Sequence, residues 1–347
     1  MMPPPHSRHS TPKMKHRNKI VYRWLLILSL PLAAQGWLPC GTRRGILPLD
    51  YSQFSATPEV TADSNSKDRE VLLEGNVTIL DQSPHHLVVA KPPSVVCHHS
   101  DWTGSRTRQE VPMIQRVRIA VGRKVNLVHR LDRGASGCLL MSYTDDGDST
   151  SQLIGAMNMQ ASKTYVALVR GEGVLRGVDF KEQGWFCVDR PIKDEGGKLN
   201  NATTYFRFVA GQDGGDGTRP RASLVLARPV TGRWHQIRRH LNGLSHPILG
   251  DSSHGVSKVN QEWRRERGLA GERICLHLLE LMLPPTDYTP EGIHATCPIA
   301  DDMMELLEKH LPDVLEQAET ILLKEGISLR PTPLQSANEK LPFQILL

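Results

Sequence analysis

The sequence predicts a folded region that mixes β-strands and α-helices, preceded by a segment of different composition. Three observations support this prediction. Short runs of apolar and β-branched residues are bounded by turn residues. An amphipathic pattern around residue 237 is typical of a helix. Apolar residues make up 39% of the 347 residues, which suits a buried core in one large domain or two small ones.

The first 66 residues are predicted to be a targeting leader and linker. Basic residues up to Arg23 precede an apolar run at 24–34, and the layout is that of a signal peptide. The run is too short for a membrane span, which needs about 20 residues. We expect import into an organelle, a plastid before a mitochondrion, without stable membrane association after removal of the leader. A misassigned start, which would leave a cytoplasmic protein, and a membrane anchor are the alternatives.

The positive charge of the chain is concentrated in this leader. Residues 1–49 hold eight Lys or Arg and no acidic residue, so the net charge of +5 falls to −3 when these eight cations are left out. Any surface for nucleic acid must therefore be a local patch. The six cysteines form no Cys-x-x-Cys unit, which favours a reducing compartment and argues against a zinc site or a disulfide framework.

The elements can be placed in order along the chain. The fold is expected to begin near Val71, and the predicted strands are 77–80, 87–90, 125–128, 138–141, 163–171, 203–209 and 222–227. Helices are expected over 151–161, from an N-cap at Thr231 to about 244, and over 302–324. The second helix would have an apolar face of Trp234, Ile237, Leu241 and Leu244. Residues 326–347 are expected to form a tail.

One carboxylate, Asp132, lies in a loop that is flanked by arginines and ends in glycine, HRLDRGASG at 129–137. Arg130 and Arg133 are its neighbours, and Arg238 is a further cation about 100 residues later. A carboxylate beside a guanidinium stays ionised and can act as a nucleophile. A single carboxylate argues against an ordinary glycosidase, which uses two. A structural salt bridge is the alternative.

The second conspicuous segment is GRWHQIRRH at 232–240. Its arginines either supply a cationic partner for Asp132 or form a solvated helix face. Four histidines at 235, 240, 246 and 254 suggest a metal site. On one helix, however, His235 and His240 would be separated by about 140° and could not face one ion. Tyr165, in an alternating strand, is either a core residue or a catalytic one.

These segments resemble the RluA family of RNA pseudouridine synthases. Residues 129–137 resemble the family signature H-R-L-D-x-x-T-S-G. Residues 232–240 resemble its G-R-x-H-Q-[IL]-R-x-H segment, and 246–251 the H-P-I-x-G-D that follows. Residues 163–171 resemble its K-x-Y-x-A-L-V-x-G segment. The order and rough spacing agree, and the resemblance extends from about residue 71 to about residue 311.

The resemblance implies the fold and the roles of the site residues. It implies an α/β (α+β) fold with a mixed, largely antiparallel sheet, flanking helices and a catalytic cleft, over residues 71–325. Asp132 matches the catalytic aspartate, Arg238 the arginine that pairs with it, and Tyr165 the tyrosine that packs on uracil and helps to remove the C5 proton. Arg130 matches the arginine that fills the gap left by a flipped base. The other motif residues expected around the substrate are His129, Arg133, Arg233, His235, Gln236 and Arg239.

Two positions depart from the family pattern. Ala135 stands where the family has threonine, which removes a hydroxyl behind Asp132. Trp234 replaces a residue that is usually smaller or polar, and it is expected to extend either the core or a stacking surface.

The implied activity is isomerisation of uridine to pseudouridine in structured RNA, by a monomer, with no cofactor and no metal. Several segments resemble a tRNA-modifying subgroup of the family, so tRNA is the expected substrate and rRNA the alternative. There are two competing hypotheses. One is a catalytically inactive RNA-binding protein, which the alanine at position 135 favours. The other is a metal-dependent hydrolase that uses the histidines.

Overall fold

The computed structural model describes residues 77–99, 110–145, 147–215, 217 and 219–331. The predicted leader lies outside these residues, as does the chain from 332 onward. Within the described ranges, no helix combines the length and apolar character that crossing a membrane would require.

Fourteen strands occur in the described part of the chain. They are β1 Thr78–Gln82, β2 His86–Lys91, β3 Val125–Leu127, β4 Ser136–Tyr143, β5 Ser162–Arg170, β6 Val174–Leu175, β7 Val178–Asp179, β8 Phe186–Asp189, β9 Ile192–Lys193, β10 Leu199–Asn200, β11 Thr203–Gln212, β12 Ala222–Pro229, β13 Leu276–Leu283 and β14 Ile293–Thr296. Each predicted strand is present within a few residues of its predicted limits. The strands β6 to β10, β13 and β14 were not predicted.

Ten of these strands form one sheet in the order β1-β2-β4-β13-β5-β12-β11-β8, with β3 beside β4 and β14 beside β13. Within it, β4 and β13 run parallel, and the other described pairs are antiparallel. Two short hairpins, β6-β7 and β9-β10, lie outside this sheet. The expectation of a mixed, largely antiparallel sheet is confirmed.

The described helices are α1 Met113–Val121, α2 Ser149–Met159, α3 Gln236–Gly243, α4 Ser257–Arg267, α5 Asp301–His310 and α6 Pro312–Leu323. The helix predicted over 302–324 is two helices, because Pro312 lacks the N–H that a continuous helix needs and instead begins α6. α3 begins at Gln236 and not near Thr231 as predicted. Trp234 is therefore outside the helix.

Two clusters of buried side chains hold the helices to the sheet. One packs α3, α5 and α6 with β5, β11 and β12, and the other packs α1 and α2 with β2 and β4. Tyr165 on β5 touches both clusters, which places it where they meet. The sheet thus brings β4, β13 and β5 together at the centre of the molecule.

The segment predicted to be a tail from 326 onward belongs to the fold as far as Arg330. Leu329 is buried, and its carbonyl accepts a hydrogen bond of 2.9 Å from the N–H of Ile299. Arg330 pairs with Glu308 at 2.9 Å and with Glu319 at 2.6 Å. These contacts tie the segment to α5 and α6.

Candidate active site

The loop that carries Asp132 leads directly into β4, and glycine is required where the strand begins. Gly137 has φ of +114°, a conformation that other residues rarely adopt. A Cβ there would lie 2.3 Å from the backbone oxygen of Leu278 on β13. The last glycine of the HRLDRGASG segment therefore allows β4 to lie against β13 and fixes the exit of the loop.

Asp132 is partly open to solvent and is held by Arg238. Nη1 of Arg238 donates a hydrogen bond of 2.8 Å to Oδ2 of Asp132, whose side chain is 28% exposed. The turn is closed by the N–H of Ala135, which donates to the Asp132 carbonyl at 3.0 Å. Because this closing bond comes from the backbone, the loop keeps its turn without the hydroxyl that Ala135 lacks.

Arg238 is fixed from its other side by Asp251. Nε and Nη2 of Arg238 donate to the two carboxylate oxygens of Asp251 at 2.7 and 2.8 Å. Burial opposes the charged form of each partner. The pairing outweighs this effect, raising the pKa of Arg238 above its usual value and lowering that of Asp251. The guanidinium thus stays charged in one orientation and presents its remaining nitrogen to Asp132.

Lys91 is a support for the loop that the sequence analysis did not identify. Its side chain is buried, and Nζ donates to the backbone carbonyls of Pro92, Arg133 and Ala135 at 2.8, 3.1 and 2.7 Å. Burial lowers its pKa to about 8. The ammonium therefore ties the end of β2 to both sides of the turn that holds Asp132. A lysine before two prolines offered no signal of this role.

Tyr165 lies in the electrostatic field of Asp132. Its strand, β5, pairs with β13 and β12, so the tyrosine has Leu278 and Ala227 as its partners across the sheet. Burial, together with the negative charge of Asp132, raises the pKa of the phenol. The phenol is therefore protonated at neutral pH.

His235 lies near the Asp132 oxygen that Arg238 does not contact. Its Nε2 is 3.8 Å from Oδ1 of Asp132, and its Nδ1 shares a hydrogen bond of 3.0 Å with Nε2 of His254. Burial, more than the opposing charge of Asp132, lowers the pKa of His235, so the ring is neutral at pH 7. The backbone of His235 is left-handed, with φ of +53°, which turns the chain into α3.

Two of the residues expected around the substrate instead support the loops. The amide of Gln236 accepts from the N–H of Arg233 at 3.0 Å and donates to the Thr203 carbonyl at 2.9 Å. Nε2 of His129 accepts from the N–H of Leu140 on β4 at 3.1 Å, and burial lowers the pKa of His129 to about 3. In this structure both side chains are engaged with the protein.

The four remaining arginines of the two segments differ in their partners. Arg133 is paired with Glu110 at 3.0 Å and Glu272 at 2.6 Å. Arg233 and Arg239 donate to backbone carbonyls, those of Asn201 at 3.0 Å and Lys193 at 2.8 Å. Arg130 is exposed, and within the described ranges no carboxylate pairs with it.

Of the four histidines considered as metal ligands, His235 and His254 contact each other, whereas His240 and His246 are hydrogen-bonded to other groups. Nδ1 and Nε2 of His240 are bonded to Oγ1 of Thr204 and the carbonyl of Arg190, each at 3.0 Å. Nδ1 of His246 is bonded to the Leu244 carbonyl at 2.9 Å. Across the described residues, no three His, Cys, Asp or Glu side chains are grouped as a metal site requires.

The model of the RNA pseudouridylate synthase family matches residues 85–243. The tRNA pseudouridine synthase C of Yersinia pestis is 35% identical over 212 residues, which are 59% of this chain and 80% of that protein. The enzyme of the same name from Vibrio parahaemolyticus is 33% identical over 67% of this chain and 94% of its own length. The alignment to the Pectobacterium carotovorum enzyme, at 33% identity, spans 54% of that longer protein.

Among solved structures, human RNA pseudouridylate synthase domain containing 4 superposes with a TM-score of 0.51 at 22% identity, over 68% of this chain and 93% of that one. This likeness shows a shared fold. The chain belongs to the RNA pseudouridylate synthase family, a family of isomerases.

Proposed function

We propose that this chain converts uridine to pseudouridine in tRNA, with Asp132 as the catalytic carboxylate. The observation that carries the proposal is the alignment of Asp132, Arg238 and Asp251 in one hydrogen-bonded row. That row holds a single partly exposed carboxylate in a fixed orientation, and its charge acts on the partly buried Tyr165. The tRNA substrate is supported by the names of the bacterial relatives.

The chemistry is an isomerisation in which the C1′–N1 bond of uridine breaks and a C1′–C5 bond forms. The C5 proton is lost and N1 gains one, so the atoms balance without an added reagent. The uridine must first leave its stack, which costs a few kcal/mol. Asp132 then acts as the nucleophile. Its carboxylate attacks either C1′ of the ribose or C6 of the uracil.

Arg238 and Tyr165 have distinct roles in this reaction. Arg238 orients the carboxylate through its hydrogen bond to Oδ2. Tyr165 supports the uracil by packing. The family resemblance also gives Tyr165 a part in removing the C5 proton. Arg130, exposed and without a carboxylate partner among the described residues, is available to fill the gap left by the flipped base.

The activity is tested by tritium release from RNA labelled at C5 of uridine. Asp132→Asn keeps the shape of the side chain and removes its charge, so we expect release to fall by a factor of about 10³ or more while RNA binding persists. Asp145→Asn, which alters an exposed carboxylate paired with Arg123, is the matched control and should keep the wild-type rate. Full activity of Asp132→Asn would show that the nucleophile is another residue.

The substrate class is tested by mapping pseudouridine in tRNA and rRNA from cells that lack this gene. Loss of a tRNA site supports the proposal, and loss confined to rRNA rejects it. If no site is lost, and the purified chain binds RNA without releasing tritium, the chain is a binding protein of the same fold.

We also propose that residues 1–66 direct the chain to an organelle, a plastid before a mitochondrion. The support is the basic, apolar and small-residue order of the leader. A fluorescent protein fused after residue 66 should enter the organelle. A diffuse cytoplasmic signal would contradict the proposal.

A further inference from the structure

Trp234 is the most exposed aromatic feature next to the candidate active site. The sequence left two alternatives for this tryptophan, a part of the core or a stacking surface. Its relative exposure is 56%. The structure removes the first alternative, because Trp234 precedes α3 and is not on its buried face. A large apolar ring left in solvent beside a catalytic carboxylate calls for a partner.

The indole is held in place by stacking on His235. The two ring centroids are 3.9 Å apart with an angle of 21° between the planes. His235 is in turn fixed by its hydrogen bond to His254 and lies 3.8 Å from Asp132. The indole therefore stacks on a ring that itself lies next to the Asp132 carboxylate, and its orientation is set before any ligand binds.

Trp234 also lines a cavity of about 330 Å³ that contains three cations, Lys193, Arg233 and Arg239. Within the described ranges, neither arginine is paired with a carboxylate; each donates only to a backbone carbonyl. Asp194, the acid of this cavity, accepts from the N–H of Lys198 and from Nδ2 of Asn200. The cavity therefore joins an aromatic surface to a net positive charge.

These cations contrast with several solvent-accessible arginines elsewhere in the described chain. Arg123, Arg133 and Arg221 are each paired with a carboxylate at 3.0 Å or less. A guanidinium without a counter-ion keeps its full field for an external anion, and a phosphate is the anion that RNA supplies. An aromatic ring beside such cations is the arrangement that holds an unstacked nucleotide.

We propose that Trp234 and this cavity bind the nucleotide adjacent to the target uridine. The base stacks on the indole, and its phosphate lies among Lys193, Arg233 and Arg239. This inference rests on the proposed function. It assigns to this chain a subsite that selects an RNA whose neighbouring base can leave its stack together with the uridine.

The experiment uses a synthetic RNA stem–loop that carries the mapped target uridine. Two further versions have an abasic site immediately 5′ or 3′ of it. Trp234→Ala is expected to raise KM by about 5- to 100-fold, the range for loss of one base–aromatic stack, with a smaller change in kcat. Trp234→Phe should restore most of the affinity. Met159→Ala, in α2 and 79% exposed, is the control for loss of an exposed apolar side chain.

The decisive comparison is between protein and RNA changes. One of the abasic sites should weaken RNA binding by the wild-type protein by a similar factor. The same abasic site should have little further effect on binding by Trp234→Ala, because the abasic site and the substitution remove the same contact. Dissociation constants measured in the Asp132→Asn background give the same comparison without turnover. The inference would be overturned if Trp234→Ala left both KM and the dissociation constant unchanged. It would also be overturned if the abasic site reduced the RNA affinity of the variant as much as that of the wild type.

This outcome is separable from that of the proposed function. If wild type releases tritium and Trp234→Ala is indifferent to the neighbouring base, the isomerase stands and the subsite falls. If wild type releases none, the proposed function falls, and the dissociation constants still decide whether Trp234 contacts a base.

Discussion

At the scale of single residues, the reactivity of Asp132 is set by groups behind it. Arg238 would be a mobile cation if Asp132 were its only partner. Asp251 accepts hydrogen bonds from two of its nitrogens and leaves the third for Asp132. The order of these three side chains explains why an acid that is 28% exposed has a defined orientation.

Breaking this row is expected to cost both stability and activity. Arg238→Met leaves the Asp251 carboxylate buried without its counter-charge, so we expect a loss of about 3–5 kcal/mol in the free energy of unfolding. Asp251→Asn should have a similar effect, and the double variant should lose less than the sum. Urea denaturation measures all three. Strictly additive losses would show that the two side chains act independently.

Lys91 should make the stability depend on pH in a specific window. The folded protein releases this proton at a pKa of about 8 and the unfolded chain at 10.5, so between these values the unfolded chain binds more protons. The contribution of Lys91 to stability therefore rises with pH, by about 2 kcal/mol from about pH 7.5 to about pH 9.5.

Lys91→Met tests this window. The variant should be less stable throughout, because three buried carbonyls lose their donor, and its deficit should widen with pH. Lys258→Met, which alters an exposed lysine, is the control and should show a constant difference. A deficit of Lys91→Met that stays constant over the same range would contradict the prediction.

At the scale of elements, the parallel pairing of β4 with β13 fixes the position of the loop that carries Asp132. The pairing brings Ser136 opposite His277, and Oγ of Ser136 shares a hydrogen bond of 2.8 Å with Nδ1 of His277. Nε2 of the same histidine is bonded to the Cys297 carbonyl. The strand that begins at the loop is therefore tied to a segment more than 130 residues away.

Two glycines provide a matched test of this pairing. Gly137→Ala puts a Cβ against the backbone of Leu278 at an unfavourable φ, so we expect a loss of at least about 3 kcal/mol and of activity. Gly155→Ala in α2 meets no atom within 4 Å and should gain about 0.5–1 kcal/mol from helix propensity. Thermal denaturation compares them. Equal melting temperatures would contradict the proposed close approach.

At the scale of the whole molecule, charge is distributed unevenly. Outside residues 1–49 the net charge is −3, yet uncompensated cations meet at the cavity beside Trp234. RNA affinity should therefore depend on this patch and not on total charge.

The salt dependence of RNA binding reports the number of phosphate contacts. Arg233→Gln removes one unpaired cation, and we expect the slope of log K against log salt to become shallower by about 0.7–0.9. Arg123→Gln removes a cation already paired with Asp145 and should leave the slope unchanged. Fluorescence anisotropy titrations at several salt concentrations give both values. Equal slopes for the two variants would place the phosphate contacts elsewhere.

The sequence by itself determined the family, seven of the fourteen described strands and, through the family resemblance, the pairing of Asp132 with Arg238. Local periodicity and long motifs carry that information, since they depend on neighbouring residues. Asp251 lies within a matched motif, and its carboxylate could have been identified from the sequence as a partner of Arg238. The start of α3 was placed too early because Trp234 fits the apolar spacing.

Only the tertiary structure decided which polar residues of the motifs are hydrogen-bonded to other parts of the protein. His129 and Gln236 belong to the motifs, but their hydrogen bonds are to the protein. Lys91 lies outside the motifs. It nevertheless donates hydrogen bonds to carbonyls of the Asp132 loop that are 42 and 44 residues away in the chain. Such roles depend on burial and on contacts between distant segments, which sequence spacing does not encode.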